Sequence, residues 1–156
     1  MFSILLAIGS SGANAQEPNK CSTAYMAKNY RTAAKECLIL AKLGDADAAS
    51  RMAIMYEDGD GVVQNFTESF YWTRIAAEHG SAVDQSVLGT MYWEGKGVTA
   101  DIIRGHMWVN IAAANGSISA KIYRDDYEKI MSSADIAIAQ SMAQECISSG
   151  YKNCGD

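Results

Sequence analysis

The sequence predicts an all-α protein, an α-solenoid of antiparallel helix pairs with capping helices at both ends. Three observations predict this class. A segment of 36 residues occurs twice in succession, each copy shows the apolar spacing of two helices, and the flanking segments carry weaker versions of the same pattern. Because a two-helix unit of this length cannot bury its own apolar face, neighbouring units have to stack.

The repeat is visible when the sequence is aligned with itself at an offset of 36 residues, which places residues 45–80 on residues 81–116 without a gap. Twelve of the 36 aligned positions are identical, whereas chance would give about two or three. The identical pairs are Ala46/Ala82, Ser50/Ser86, Met55/Met91, Tyr56/Tyr92, Gly59/Gly95, Gly61/Gly97, Val62/Val98, Trp72/Trp108, Ile75/Ile111, Ala76/Ala112, Ala77/Ala113 and Gly80/Gly116. Two tandem repeats therefore form the centre of the predicted domain.

Each repeat is predicted to form a helix, a turn and a second helix. Met52 and Tyr56 lie at the helical period on one apolar side of the first helix. The sequence Gly-x-Gly-Val follows in both repeats and supplies a turn with a permissive backbone, after which Asn65 is placed to cap the second helix. The second helix carries the apolar pattern Trp-x-x-Ile-Ala-Ala, and Gly80 and Gly116 are predicted to end it.

The segments on either side are predicted to be atypical terminal units, which the capping of a solenoid requires. Residues 17–44 form a shortened capping helix pair. Residues 117–156 form a degenerate repeat, in which the first-helix pattern decays at 124–126, and a last capping helix over 133–149. Residues 16–156 are therefore expected to make one domain.

Residues 1–15 are predicted to be a signal peptide. The apolar run from Phe2 to Ile8 precedes Ala13-Asn14-Ala15, a small-x-small pattern typical of signal-peptidase sites, although no Lys or Arg precedes the run. The run is too short to span a bilayer, which needs about 20 apolar residues. We therefore expect a periplasmic or secreted protein that does not insert into a membrane.

Four cysteines in an exported chain predict two disulfides. The first pair lies symmetrically about Asn29, at a predicted turn between two helices, and the second lies symmetrically about Gly150, a natural helix end. The predicted bridges are Cys21 with Cys37 and Cys146 with Cys154. Because neither pair has the C-x-x-C spacing of a zinc site, no metal is predicted.

Composition and motifs argue against several classes of function. A formal net charge of −5 leaves no basic surplus for binding nucleic acid. The acidic turn at 57–61 lacks the ligand spacing of a calcium loop. Ser149-Gly150-Tyr151-Lys152 matches the S-x-x-K motif of penicillin-recognising enzymes, but it closes a helix instead of opening one and stands without their other motifs. No catalytic residue and no cofactor are predicted.

The repeat resembles the Sel-1-like repeat family, relatives of tetratricopeptide repeats. The resemblance rests on a Leu-Gly-x-x-Tyr pattern, a Gly-x-Gly-Val turn, a Trp and an Ala-Ala pair at a 36-residue period. These are Met52-Ala53-x-x-Tyr56 with Gly59-x-Gly61-Val62, and Leu88-Gly89-x-x-Tyr92 with Gly95-x-Gly97-Val98. Residues 17–44 are closer to a plain tetratricopeptide unit, and residues 134–146 resemble the capping helix of many bacterial members.

The resemblance implies a non-catalytic adaptor or regulator in the cell envelope, since members of the family are solenoids that bind proteins or peptides. The implied partner is another protein or a peptide, bound by the inner surface of the solenoid. Some cysteine-rich secreted members are linked to β-lactam binding or hydrolysis, so a hydrolase acting on β-lactams or peptidoglycan fragments stays open as the alternative. Self-association that lengthens a short groove also stays open.

The candidate partner-binding residues lie on first helices and are expected to point away from the core. By period they include Arg51, Ile54 and Asp58 in the first repeat and Val87, Thr90 and Glu94 in the second, together with Trp93, and Asp84 is a further candidate. Trp93 takes the place of Glu57 in the earlier repeat and is either an exposed aromatic anchor or a side chain packed on the adjacent turn. Asp84 stands where the family has a small Ala, so its carboxylate either reaches solvent or is a partly buried acid with a binding role.

Overall fold

The chain folds into helices joined by short turns, in a computed structural model that describes residues 19–152 and 154. The helices are α1 (Lys20–Met26), α2 (Tyr30–Lys42), α3 (Ala46–Asp58), α4 (Phe66–Glu78), α5 (Ala82–Glu94), α6 (Ile102–Ala114), α7 (Ile118–Glu128) and α8 (Ser133–Ser148). No strand occurs in this part of the chain, and none of its helices has the length and apolar character needed to cross a membrane. The predicted signal peptide lies outside the described residues.

Successive helices pack against one another from α1 to α7, so that first and second helices alternate along the array. α3 with α4 and α5 with α6 are the two repeats, and α1 with α2 is the shortened pair before them. α8 departs from the alternation because it packs on α6 more extensively than on α7. The arrangement confirms the prediction of an all-α helical repeat solenoid.

The helix ends follow the predicted capping residues. The Asn65 side chain accepts hydrogen bonds from the backbone N–H groups of Thr67 and Glu68 at the start of α4. Gly80 and Gly116 follow the second helices with left-handed φ values of 90° and 94°. The decay of the pattern at 124–126 does not end α7, which continues to Glu128 because a buried side persists along the helix.

The second glycine of each Gly-x-Gly-Val turn joins one unit to the unit before it. A Cβ atom at Gly61 would collide with the carbonyl oxygen of Tyr30, the first residue of α2. A Cβ atom at Gly97 would collide in the same way with the carbonyl oxygen of Phe66, the first residue of α4. Both glycines also have φ values above 70°, so the position excludes a side chain by contact and by backbone conformation.

The two repeat tryptophans belong to two core clusters that follow one another along the array. Trp72 is 4% exposed and belongs to a cluster with Met52 and Ala76, whereas Trp108 is 2% exposed and belongs to a cluster that includes Leu88. Residues of α4, α5, α6 and α8 share this second cluster. The repeats therefore bury a common apolar seam, as stacking of two-helix units requires.

The two predicted disulfides are present. Cys21 and Cys37 join α1 to α2 with a Cα–Cα distance of 4.6 Å. Cys146 and Cys154 join α8 to the segment after it with a Cα–Cα distance of 4.5 Å. All four cysteines are buried, and each bridge lies within one of the two terminal units.

Candidate partner-binding surface

The predicted binding residues lie on α3 and α5, the first helices of the two repeats. Next to them the structure forms a cavity of about 160 Å³ between α5 and α7. We call this cavity the α5–α7 groove, and its lining residues are Val83, Ser86, Val87, Thr90, Ser119 and Tyr123. Val87 and Thr90 are therefore the predicted residues that the structure places in the groove itself.

The α5–α7 groove presents apolar side chains to solvent. Val83 is 71% exposed and Tyr123 is 41% exposed, and Val87 lies half-buried between them along the lining. The Thr90 hydroxyl donates a hydrogen bond to the carbonyl oxygen of Val87 at 2.8 Å, so its donor is satisfied within its own helix. On α3, Ile54 adds another apolar side chain that is 45% exposed.

Arg51 links α3 to α1. One guanidinium nitrogen donates to the carbonyl oxygen of Asp47 at 3.0 Å, and the other terminal nitrogen donates to the Ser22 hydroxyl at 3.4 Å. The guanidinium also lies over the Tyr25 ring, 5.8 Å from its centroid. The Arg51 side chain is thus held among residues of its own protein on the first-helix side of the array.

Asp84 is buried, with 8% of its surface exposed, and it ties α3 to the start of α5. The Ser50 hydroxyl of α3 and the Ser81 hydroxyl before α5 each donate to Asp84 Oδ2 at 2.5 Å. Short hydrogen bonds to a carboxylate are about twice as strong as neutral ones and offset the cost of burying the charge. The Asp84 carboxylate therefore fixes two helices relative to each other and does not reach solvent through a local shift.

Trp93 packs between helices. Its ring stacks on that of Tyr127 from α7, with ring centroids 3.6 Å apart and planes 3° from parallel. Of the two interpretations, packing is the one the structure shows, although the neighbour is a facing helix and not the adjacent turn. The stacked pair braces α5 against α7 beside the α5–α7 groove.

The acidic residues at the ends of α3 and α5 lie beside tyrosines of neighbouring first helices. Burial raises the pKa of Tyr127 to about 12, and the Glu94 carboxylate contributes to this rise. Burial likewise raises the pKa of Tyr25, and Asp58 is among the charges that raise it further. Asp58 and Glu94 are themselves exposed. The ends of the first helices thus carry a negative potential that reaches neighbouring side chains.

Folding stability is expected to decrease between about pH 10 and about pH 12 partly through Tyr127. The pKa of Tyr127 is 10.0 in the unfolded chain and about 12 in the fold, so its contribution is complete below pH 10 and is lost as pH rises through the folded value. Tyr127→Phe should flatten this part of the curve in urea unfolding followed from pH 9 to pH 12. A curve for Tyr127→Phe that matches the wild-type curve would contradict the assignment.

Ser149 of the S-x-x-K motif and the two histidines make contacts within the fold. The Ser149 hydroxyl donates to the carbonyl oxygen of Cys146 at 2.8 Å and accepts from the backbone N–H of Lys152 at 3.1 Å. His79 is exposed with Nδ1 2.7 Å from its own helix at Ile75 O, whereas His106 is fully buried with Nε2 3.0 Å from Glu128. Within 19–152 and 154, no three or more His, Cys, Asp or Glu side chains are grouped to hold a metal ion.

Sequence reasoning missed Val83, Ser86 and the two residues that α7 contributes to the groove. The signal that could have found them is the repeat register itself. A further shift of 36 residues places Val83 on Ser119 and Val87 on Tyr123, and all four line the α5–α7 groove. Few identities survive in this third unit, so the repeat pattern alone does not indicate its surface positions.

Comparison with known proteins identifies the repeat. The Sel1 repeat family matches residues 46–81 and 84–117. The chain is similar to a Sel1 repeat protein from Oxalobacter formigenes, with 35% identity over 61% of this chain and 71% of that one and a TM-score of 0.59. The protein belongs to the Sel1 repeat family. Sel1 repeats are generally non-catalytic scaffolds for protein interaction.

A second solved structure supports the fold of this Sel1 repeat protein over more of its length. It is a protective antigen present in uropathogenic Escherichia coli strains that displays an SLR fold, with a TM-score of 0.77 and 22% identity. The match covers 84% of this chain and 30% of the antigen, so this chain spans less than a third of that protein. No curated protein matches the chain.

Proposed function

We propose that this Sel1 repeat protein is a non-catalytic adaptor or regulator of the cell envelope that binds a protein or peptide through its first helices. The observation that carries the proposal is the α5–α7 groove, whose lining residues Val83 and Tyr123 are 71% and 41% exposed. Apolar side chains grouped at a surface groove mark interaction sites.

The size of the groove favours a side chain of a partner over a free small molecule. Small-molecule sites typically enclose about 300–1,000 Å³. The α5–α7 groove encloses about 160 Å³ and is open along the helices. These dimensions suit one apolar side chain of a longer segment that also contacts α3, and they do not favour a β-lactam as the ligand of the groove.

The internal contacts of the first helices support a preformed surface. Arg51 holds α3 to α1, Asp84 holds α3 to α5, and the stack of Trp93 on Tyr127 holds α5 to α7. A surface fixed in this way loses little conformational freedom on binding, which lowers the cost of association. Three of the predicted contact residues and their neighbours thus shape the surface from within.

The proposed location in the envelope is supported by the two disulfides, since such bridges persist in oxidising compartments outside the cytosol. Removal of residues 1–15 as a signal peptide and a single domain over 16–156 are part of the same proposal. Self-association stays a prediction, and it is an outcome that the binding experiments below distinguish.

Photo-crosslinking in cells tests the proposal. A photoreactive amino acid at position 90, in the α5–α7 groove, is expected to capture one discrete partner. The same amino acid at position 71, where the Tyr71 side chain of α4 is 53% exposed, is the control and should not capture it. Val87→Glu, which puts a charge in the groove, should abolish the capture from position 90.

Two results would contradict the proposed function. One is an equal set of products from positions 90 and 71, which indicates contact by collision alone. The other is capture that persists unchanged in Val87→Glu, which places the binding surface elsewhere. Circular dichroism of the purified Val87→Glu protein shows whether its helices are intact, so that misfolding is not taken for lost binding.

A further inference from the structure

We infer that the partner segment is cationic: an apolar side chain enters the α5–α7 groove while Lys or Arg side chains beside it meet the carboxylates of Asp58 and Glu94. The inference rests on the proposed binding function and adds the chemistry of the partner. Three observations support it: the positions of these two carboxylates, the engagement of the basic side chains of the repeats with other groups, and the apolar groove next to the carboxylates.

Asp58 and Glu94 occupy the same position in successive repeats, 36 residues apart. Each is exposed and is the last residue of its helix, α3 or α5. Asp58 lies one helical turn after Ile54 on α3, and Glu94 lies one helical turn after Thr90 on α5. Each carboxylate therefore lies on the same side of its helix as a residue of the binding surface. The carboxylates therefore form one edge of the surface whose apolar part is the groove.

Helix geometry strengthens the negative potential at this edge. α3 and α5 run in the same direction because helices alternate along the array, so their carboxyl-terminal ends lie at the same edge. Each helix end contributes a partial negative charge of about half an elementary charge. An acidic side chain at that end is unfavourable for the isolated helix, and neither α3 nor α5 has a basic residue in its last turn. A cation from a partner would relieve this repulsion.

The basic residues of the repeats do not neutralise these two carboxylates. Residues 45–116 contain ten acidic and four basic residues. The four basic side chains are engaged elsewhere: Arg74 with Glu78, Lys96 with Glu57, Arg104 with Asp101, and Arg51 with Ser22 and the carbonyl oxygen of Asp47. Among the residues that the structure describes, no ion pair involves Asp58 or Glu94. The negative charge of these two carboxylates is therefore available to a partner.

The terminal helix pair offers an alternative occupant that has to be tested. Residues 19–44 contain five exposed basic residues and one acidic residue, so a second copy could in principle supply the cations. The dimensions of the groove favour a peptide segment, because about 160 Å³ admits a side chain and not the surface of a folded helix pair. We therefore assign the groove to a flexible cationic segment.

Selection from a random library of displayed 12-residue peptides tests this chemistry without assuming a sequence. The probe is the library itself, presented to the immobilised protein, and Val87→Asn, which removes the apolar contact without adding a charge, is used to remove peptides that bind elsewhere. Enriched peptides are expected to combine an apolar residue with Lys or Arg and a net positive charge. Enrichment of neutral or acidic peptides that depend on Val87 would overturn the inference and leave the proposed function standing. Absence of any peptide that depends on Val87 would overturn the proposed function as well.

One enriched peptide, synthesised with a fluorescent label, then measures the role of each carboxylate by fluorescence anisotropy. Glu94→Gln is expected to weaken binding about 2- to 5-fold, and combination with Asp58→Asn about 10-fold, the range of exposed ion pairs. Glu145→Gln on α8 makes the same chemical change away from the groove and should not weaken binding. Unchanged affinity in the double variant, or equal loss in Glu145→Gln, would overturn the assignment.

Salt and protein concentration supply the remaining readouts. The wild-type affinity is expected to decrease as salt rises from about 50 mM to about 500 mM, since exposed charge pairs are screened over that range. The double variant should show a weaker salt dependence. Sedimentation of the protein alone is measured over a range of concentrations, and we expect no self-association that depends on Glu94. Self-association of the wild-type protein that is lost in Glu94→Gln would assign the groove to a second copy and overturn the inference.

Discussion

Trp108→Ala is expected to lower the free energy of unfolding by about 3–5 kcal/mol, the range for removing a large aromatic side chain from a core. Trp108 is 2% exposed and belongs to the cluster that α5, α6 and α8 share with α4. Alanine would leave a cavity within this cluster, whose other members include Leu88 on α5, Ile111 on α6 and Ala143 on α8. Because packed helices relax only in part, both the lost contacts and the cavity contribute to the effect.

Urea unfolding followed by far-UV circular dichroism measures this loss. Trp72→Ala should cost a similar amount, since Trp72 fills the equivalent place in the first repeat and is 4% exposed. Trp93→Ala is the control, because that side chain is half-buried with one face on Tyr127 and should cost clearly less. If Trp108→Ala does not fold, Trp108→Phe keeps a ring in the site and gives a measurable intermediate loss. Equal losses for Trp108 and Trp93 would contradict a shared buried seam.

Removing both disulfides is expected to lower the free energy of unfolding by about 5–6 kcal/mol. The bridges close loops of 16 and 8 residues, for which chain entropy gives about 3 and about 2.5 kcal/mol. They lie in opposite terminal units, so their contributions should add. A domain of this size has a total stability of about 5–15 kcal/mol, so the reduced protein is expected to approach its unfolding threshold.

Thermal unfolding with and without a reducing agent tests this prediction. The same measurement is made on two variants, one with Cys21 and Cys37 replaced by serine and the other with Cys146 and Cys154 replaced by serine. The first pair should cost slightly more than the second because its loop is longer. A protein with all four serines is the control, since the reducing agent should not change its unfolding. Wild-type midpoints in both pairs of variants would show that the bridges do not stabilise the fold.

Helix positions could be predicted from the sequence because they depend on neighbours close along the chain. The apolar period that contains Met52 and Tyr56 lies within one helix, and Asn65 caps a helix that starts at the next residue. A shift of 36 residues then transfers each assignment to the second repeat. The disulfides could be predicted for the same reason, since each bridge joins two cysteines that lie close in the sequence, on either side of a single chain reversal.

The candidate site was harder to predict because its parts come from different repeats. Asp84 receives a hydrogen bond from Ser50, which is 34 residues away in the sequence, and nothing in the local pattern of α5 indicates that partner. The neighbour of Trp93 is Tyr127 on a helix where few repeat identities survive. Helix periodicity shows which side of a helix is polar, but it does not show which polar side chains a neighbouring helix will engage.

The contact between the second glycine of each turn and the preceding unit affects how the number of repeats in such a protein can increase. Gly61 fits against the start of α2, and Gly97 fits against the start of α4. Each repeat thus carries both halves of the connection, a glycine for the preceding repeat and a helix start for the following one. Gene duplication of a whole repeat would supply matching surfaces at both new boundaries at once, so arrays of this kind can lengthen by complete copies without compensating substitutions.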